Sequence, residues 1–180
     1  MAILFQPQGL RALLGIPTSL VTDLGVDAID VLGGEVKALY ERLGNAATFS
    51  QRVNLLNKFL LQCHLTSNPL DQIHHALDRL IVPGARIKVA DIARQAGVTV
   101  RQLERRSLEY TGVSPKALVR IARFQQVLKI KNKSSSNWVE VAHALDYYDQ
   151  MHMIRDFRAL AGDSPIRAHD QIQPEHLISF

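Results

Sequence analysis

The sequence predicts an all-α fold in which two helix-turn-helix subdomains are joined by a long linker helix and preceded by a helical region with a short N-terminal strand. Apolar residues recur at helical spacing along most of the 180 residues. One pattern of apolar, capping and turn residues also occurs twice, 49 to 50 positions apart. With 47% apolar residues and only 10 Gly and 7 Pro, the composition excludes a disordered or collagen-like chain.

The first region of the chain, residues 1–83, is predicted to be a helical connector and the remnant of an N-terminal domain. Residues 2–5 are a short apolar run, which predicts one strand. A helix with an apolar stripe follows and stops at Gly44. The next helix begins at Thr48, because Gln51 stands three positions later and completes a capping-box pattern.

A third helix is predicted to open at Asn68 and Pro69, with Asn as the N-cap and Pro at the first helical position. The pair Pro83-Gly84 breaks this helix. We place a domain boundary there, so that a DNA-binding domain occupies residues 84–168 and a tail occupies residues 169–180.

Beyond the boundary, two units share one apolar stripe at positions i, i+3, i+4 and i+7. The stripe residues are Val89, Ile92, Ala93 and Ala96 in the first unit, and Trp138, Val141, Ala142 and Leu145 in the second. Thr99 and Asp149 then stand at equivalent N-cap positions, and Gly112 and Gly162 end the second helix of each unit. Each unit is therefore a helix, a turn and a capped second helix, over residues 88–112 and 138–162.

A single helix over residues 115–131 is predicted to connect the two units. Ser114 and Pro115 are a strong helix start, and an apolar stripe continues to Leu128. At 1.5 Å per residue this helix is about 26 Å long. Since successive major-groove faces of DNA lie about 34 Å apart, the helix and the width of each unit can hold two second helices one turn apart.

The charge of the chain is divided along its length. Residues 84–167 carry a net charge of +7, whereas residues 1–83 carry −1 and residues 168–180 carry −2, within a total of +4. A compact basic segment of this size is typical of a protein that binds a polyanion. A solvated basic face is the alternative that charge alone leaves open.

Other site types find little support in the sequence. The single Cys63 cannot form an intramolecular disulfide and lies among leucines, which favours a small buried residue in a reducing cytoplasm. Neither a membrane span nor a signal peptide is indicated. The pair His74-His75 cannot share a metal ion, because adjacent helical side chains point about 100° apart. We therefore expect no metal, no cofactor and no enzymatic activity.

The motifs of the two units together resemble a known family. They are Val89-Ala90-Asp91-Ile92-Ala93 with Gly97, Leu103-Glu104-Arg105-Arg106 and Gly112-Val113-Ser114-Pro115, and then Tyr147-Tyr148-Asp149-Gln150 with His152, Arg155, Phe157-Arg158, Gly162 and Ser164-Pro165. Over residues 86–167 the chain is similar to the DNA-binding domain of the AraC/XylS family of bacterial transcription regulators. The resemblance implies sequence-specific promoter binding, and a regulator that lacks most of its N-terminal sensory domain.

Within this frame we predict the residues that contact double-stranded DNA. Those on the second helices and their caps are Thr99, Arg101, Gln102 and Arg105 in the first unit, and Gln150, Met151 and Arg155 in the second. Lys116 and Arg120 on the connecting helix are predicted to meet phosphates. Arg123 has either that role or one in packing between the units. Trp138, Tyr147 and Tyr148 are assigned to the core.

Two residues depart from the family pattern. Ser107 stands where an aromatic is usual, which predicts a gap in the first core. Asp146 stands where a turn glycine is usual, which predicts a positive φ and a strained turn. These departures keep an alternative open, a protein-interaction or dimerisation module with degenerate DNA binding. A homodimer through the helices of residues 20–82 and contact with RNA polymerase are further expectations.

Overall fold

The computed structural model describes residues 2–66, 71–82, 88–134 and 136–172, with the side chains of residues 65 and 66 left out. Across these residues the chain is helical and contains no strand. The helices are α1 (Gly9–Leu14), α2 (Ala28–Leu32), α3 (Gly34–Asn45), α4 (Phe49–Thr66), α5 (Gln72–Leu80), α6 (Val89–Gln95), α7 (Val100–Thr111), α8 (Pro115–Lys133), α9 (Trp138–Ala144), α10 (Gln150–Ala161) and α11 (Pro165–Gln171). A single turn of 3-10 helix, Thr18–Leu20, lies between α1 and α2.

The predicted strand at residues 2–5 was wrong. These residues form no strand, and α1 begins shortly after them at Gly9. A lone strand gains nothing without a neighbour to pair with, and the described part of the chain offers no sheet edge. Phe5 instead packs against Gly9, where a Cβ would lie 3.2 Å from the Phe5 Cβ.

The predicted helices of the first region agree better with the structure than the predicted strand does. The Thr48–Gln51 capping box is confirmed, since the backbone amide of Gln51 donates to Thr48 Oγ1 over 3.2 Å and α4 begins at Phe49, directly after Thr48. The third helix is α5, which starts at Gln72 and is capped by Asp71, whose carboxylate accepts from the His74 amide. The predicted cap at Asn68 and Pro69 lies outside the described residues.

The first helix-turn-helix unit has a core built from four helices. Ile73 and Leu77 of α5, Ile92 of α6, Leu103 of α7 and Leu118 of α8 are all buried there. Burying each such side chain contributes about 1.5–3 kcal/mol. Helix α5 thus packs with the first unit although it precedes the predicted boundary at Pro83-Gly84, which lies outside the described residues.

The second unit has its own core, and α8 is common to both. The C-terminal half of α8 supplies Phe124, Val127 and Leu128, which pack with Met153 and Phe157 of α10. The rings of Phe124 and Phe157 have centroids 4.6 Å apart. Because the two halves of one continuous helix are buried in different cores, α8 holds the units at a fixed separation. The helix predicted over residues 115–131 is observed, ending at Lys133.

Helices α1 to α4 pack with one another, and we call this group the N-terminal layer. Helix α1 contacts both α4 and α7. An apolar cavity of about 750 Å³ lies among α1, α2, α3 and α4, with Phe5, Leu39 and Phe59 among its walls.

Candidate nucleic-acid interface

The turns of the two units have the same backbone geometry. The turn residues Gly97 and Asp146 have φ values of 65° and 58°. After each, an amide donates back to the first helix over 3.0 Å, from Val98 to Ala93 and from Tyr147 to Ala142. The repeated sequence pattern therefore corresponds to two turns of similar structure.

The turn at Asp146 confirms the predicted positive φ. Left-handed backbone costs an L-residue about 1–2 kcal/mol, and somewhat less for Asp, whereas glycine adopts it freely. The second turn is accordingly the more strained of the two.

The second helix of each unit begins at its predicted cap. Thr99 and Gln102 form a complete capping box at the start of α7, and Asp149 Oδ1 accepts from the His152 amide over 2.6 Å at the start of α10. The Oε1 atom of Gln102 accepts from the Thr99 amide over 2.8 Å and from its hydroxyl over 3.0 Å. A bidentate contact with adenine needs that same oxygen, so only the amide nitrogen of Gln102 stays available to a base.

The outward face of α7 is strongly polar. Arg101, Gln102 and Arg105 are exposed, while Leu103 is fully buried. Arg101 and Arg105 stand four positions apart, on one face of the helix. In the part of the chain that the structure describes, neither guanidinium forms a hydrogen bond or an ion pair. The face thus presents two charged donors with their hydrogen-bonding capacity unused.

The corresponding face of α10 is less polar. Gln150, Met151 and Arg155 are exposed. Arg155 occupies the place of Arg105 and likewise has no partner among residues 2–66, 71–82, 88–134 and 136–172. His152 is half-buried, with its ring edge-on to Tyr147 at a centroid distance of 5.4 Å.

The predicted phosphate contacts on α8 differ in how they are engaged. Lys116 is exposed and has no partner among the described residues. Arg120 Nε instead donates to Asp156 Oδ1 over 2.9 Å, which ties α8 to α10. Arg123 lies over the ring of Tyr147, 4.9 Å from its centroid, a contact between α8 and the second turn.

Asp156 and Tyr147 belong to a buried polar cluster within the second unit. They are 3% exposed each, and Asp156 Oδ2 and the Tyr147 hydroxyl have no hydrogen-bond partner among the described residues. Burial, and then the nearby carboxylate of Asp156, raises the pKa of the Tyr147 phenol well above its usual value. In this cluster Arg120 supplies the positive charge that balances the buried carboxylate of Asp156.

The assignment of three aromatics to the core holds for two of them. Tyr147 is buried, and Trp138 is half-buried with its ring edge-on to Phe157. Tyr148, however, is 90% exposed, so its assignment was wrong. It directly precedes the cap Asp149, where the chain turns outward before α10 begins.

Ser107, which replaces the usual aromatic, is fully buried in the first unit. Its hydroxyl donates to the carbonyl of Val113 over 2.7 Å, so the polar atom is satisfied within the core. The structure thus accommodates the residue by an internal hydrogen bond, a feature that sequence reasoning missed.

The C-terminal end of α7 is held by the N-terminal segment, which the sequence did not predict. The Thr18 hydroxyl donates to the carbonyl of Tyr110 over 2.9 Å, and Arg11 pairs with Glu109 at 3.2 Å. Gly112 lies so close to Thr22 that a Cβ there would overlap with the Thr22 hydroxyl oxygen. No local pattern signals contacts between residues some 90 positions apart.

Tyr110 also links α7 to the cap of α5. Its hydroxyl donates to Asp71 Oδ2 over 2.6 Å. Burial and this bond to a carboxylate raise the pKa of Tyr110 to about 12. Burial alone would raise the pKa of Asp71, but the hydrogen bonds from Tyr110 and from the His74 and Ile73 amides lower it below its usual value.

The described ranges contain neither a candidate metal site nor a membrane-spanning helix. No group of three or more His, Cys, Asp and Glu side chains there could hold a metal ion. None of the helices in those ranges is long and apolar enough to cross a membrane.

The chain matches one known family by sequence. Residues 92–170 match the model of a helix-turn-helix domain, from α6 through both turns and α8 to α11. No curated protein and no solved structure matches the chain significantly. The matched family is one of DNA-binding regulatory domains rather than of enzymes. Residues 92–170 therefore belong to the AraC-type helix-turn-helix family, whose members bind DNA and regulate transcription.

Proposed function

We propose that this protein is a sequence-specific transcription regulator that places α7 and α10 in two adjacent major grooves. The observation that carries the proposal is the exposed pair Arg101 and Arg105 on the N-terminal half of α7, which have no partner among the described residues, with Arg155 on the matching face of α10. A guanidinium binds the O6 and N7 atoms of guanine bidentately, which discriminates against a wrong base by about 1–3 kcal/mol.

The other predicted contacts have supporting roles. Thr99 and Gln102, tied to each other in the capping box, fix the start of α7, and the free amide of Gln102 donates to a base or a phosphate. Gln150 and Met151 begin the reading face of α10. Lys116 is exposed at the start of α8 and suits a phosphate, which sets register and salt dependence rather than sequence.

The length of α8 supports simultaneous use of both helices. Its 19 residues span about 28 Å at 1.5 Å per residue. Successive major-groove faces lie about 34 Å apart, and each unit adds its own width to the span. Since both halves of α8 are buried in cores, the spacing is fixed before DNA is bound.

The test compares specific and non-specific binding of single variants. Duplexes that the protein prefers are first selected from random sequences. Arg101→Ala and Arg105→Ala should each lower affinity for the selected duplex about 5- to 150-fold, the equivalent of 1–3 kcal/mol. Binding to unrelated duplexes should change only by the small loss of one charge. Arg42→Ala, an exposed arginine on α3 outside both units, is the matched control. An equal loss on all duplexes would refute base reading.

A second candidate function is an interaction or dimerisation module whose DNA binding has degenerated. It is favoured by a set of large apolar side chains in the N-terminal layer that are between 61% and 70% exposed, namely Leu20, Leu24, Tyr40, Phe49 and Leu61. Two of them, Leu24 and Tyr40, line the apolar cavity among α1 to α4, and large exposed apolar surface marks interaction sites. Sedimentation would then show a homodimer, while selection from random duplexes would yield no preferred sequence. The contact with RNA polymerase stays a prediction.

A further inference from the structure

The two recognition helices share one framework but present different chemistry. At a shift of 50 positions, Met151 stands in the place of Arg101 and Ile154 in the place of Glu104. Before the cap, Tyr147 takes the place of Val98, since both amides donate back to the first helix, and Tyr148 is the residue added in the second turn. The second unit thus has large apolar residues where the first has charged ones, and an additional aromatic residue before the cap.

Two of these apolar side chains are directed to solvent. Tyr148 is 90% exposed and Met151 is 56% exposed. Tyr147, the equivalent of Val98, is buried, so the added Tyr148 is the aromatic residue left at the surface. Tyr148 and Met151 flank the cap Asp149, so both lie at the N-terminal end of α10, the part of a recognition helix that reaches base edges.

Neither Tyr148 nor Met151 is part of the second core. Met153 and Phe157, both fully buried, fill it from α10, and Tyr147 fills it from the turn. Neither Tyr148 nor Met151 forms a hydrogen bond, ion pair or ring contact with any residue of the described ranges. Packing among the described residues therefore gives neither Tyr148 nor Met151 a structural role.

The major groove offers one apolar feature, the C5-methyl group of thymine. The flexible thioether of methionine adapts to such a group, and an aromatic ring offers it a broad apolar face. We propose that α10 reads thymine methyl groups through Tyr148 and Met151, so that the half-site of the second unit is rich in thymine. This inference rests on the proposed function.

The half-site of the first unit has a different chemistry. Arg101 and Arg105 favour guanine there, and the described face of α7 carries no comparably exposed aromatic side chain. The two half-sites should therefore respond differently when thymine methyl groups are removed.

Replacing thymine by deoxyuridine removes the C5-methyl group and keeps base pairing. We expect uracil in the second half-site of a selected duplex to weaken binding about 2- to 4-fold for each contacted methyl group. The same replacement in the first half-site should change affinity less than about 1.5-fold, on the same reasoning. Equal effects in both half-sites, or no effect in either, would overturn the inference.

Variants assign the effect to the two side chains. Tyr148→Ala and Met151→Ala remove exposed groups, and the double variant should bind thymine and uracil duplexes equally. Ile166→Ala removes a side chain that is 59% exposed on α11, away from the reading face, and should keep the preference for thymine. A preference that persists in the double variant would contradict the assignment. A protein that selects sequences but ignores the methyl groups would refute only this inference, whereas one that selects no sequence would refute the proposed function too.

Discussion

Replacing Arg120 separates a structural role from a role in DNA binding. Arg120 Nε lies 2.9 Å from Asp156 Oδ1, and the side chains of Arg120 and Asp156 are 43% and 5% exposed. Arg120→Met keeps the aliphatic stem but leaves the Asp156 carboxylate in the core without its counter-charge. Breaking a buried pair in this way costs about 3–5 kcal/mol, and a surface pair contributes about 0–1 kcal/mol. Because the guanidinium is partly hydrated, we expect a loss of about 2 kcal/mol.

The assay combines urea unfolding with the salt dependence of DNA affinity. Arg120→Met should lose stability and leave the slope of log affinity against log salt unchanged. Lys116→Met, at an exposed position without a partner in the described part of the chain, should do the reverse, with a slope smaller by about 0.9 for the lost phosphate contact. Adding Asp156→Asn to Arg120→Met should recover much of the stability. A reduced slope with unchanged stability in Arg120→Met would refute this reasoning and restore the phosphate contact predicted from the sequence.

Three further predictions concern the turns and helix ends. Asp146→Gly should raise the free energy of unfolding by about 0.5–1 kcal/mol, measured by urea titration, because φ is positive there. Gly112→Ala and Gly162→Ala share φ values of 76° and 75°, but only Gly112 has Thr22 against it, so its variant should have the lower Tm; equal Tm values would contradict the close contact. Since folding raises the pKa of Tyr110 from 10.0 to about 12, the stability it contributes is complete below pH 10.0 and lost as pH rises to about 12. Tyr110→Phe should therefore flatten the alkaline decline in unfolding free energy, and an unchanged decline would contradict the pKa shift.

The signals that predicted the fold are local ones. A capping box such as Thr99 with Gln102, a glycine at the end of α7 and an apolar stripe are each fixed by residues within a turn or two. The repeat then added information at longer range, because the same local signals recur in the same order. These sufficed for the units, for α8 and for the exposed arginines of the site.

What the sequence did not predict depends on contacts between distant residues. Arg120 could not be recognised as a partner of Asp156, 36 positions away, since an isolated basic residue on a helix looks the same in either role. Thr18 donates its hydroxyl hydrogen bond to Tyr110 at the end of α7, 92 positions away. The strand at residues 2–5 failed for a related reason, because an apolar run becomes a strand only where another strand is available.

Hydroxyl-radical footprinting on a selected duplex tests the central claim most directly, that α7 and α10 occupy two successive major grooves. We expect two protected segments on one face of the duplex, centred about 10 base pairs apart. Inserting about five base pairs between them should abolish simultaneous protection, because α8 fixes the spacing and the second groove is rotated away. A single protected segment, or two segments that tolerate the insertion, would show that α7 and α10 do not occupy successive major grooves at a fixed spacing.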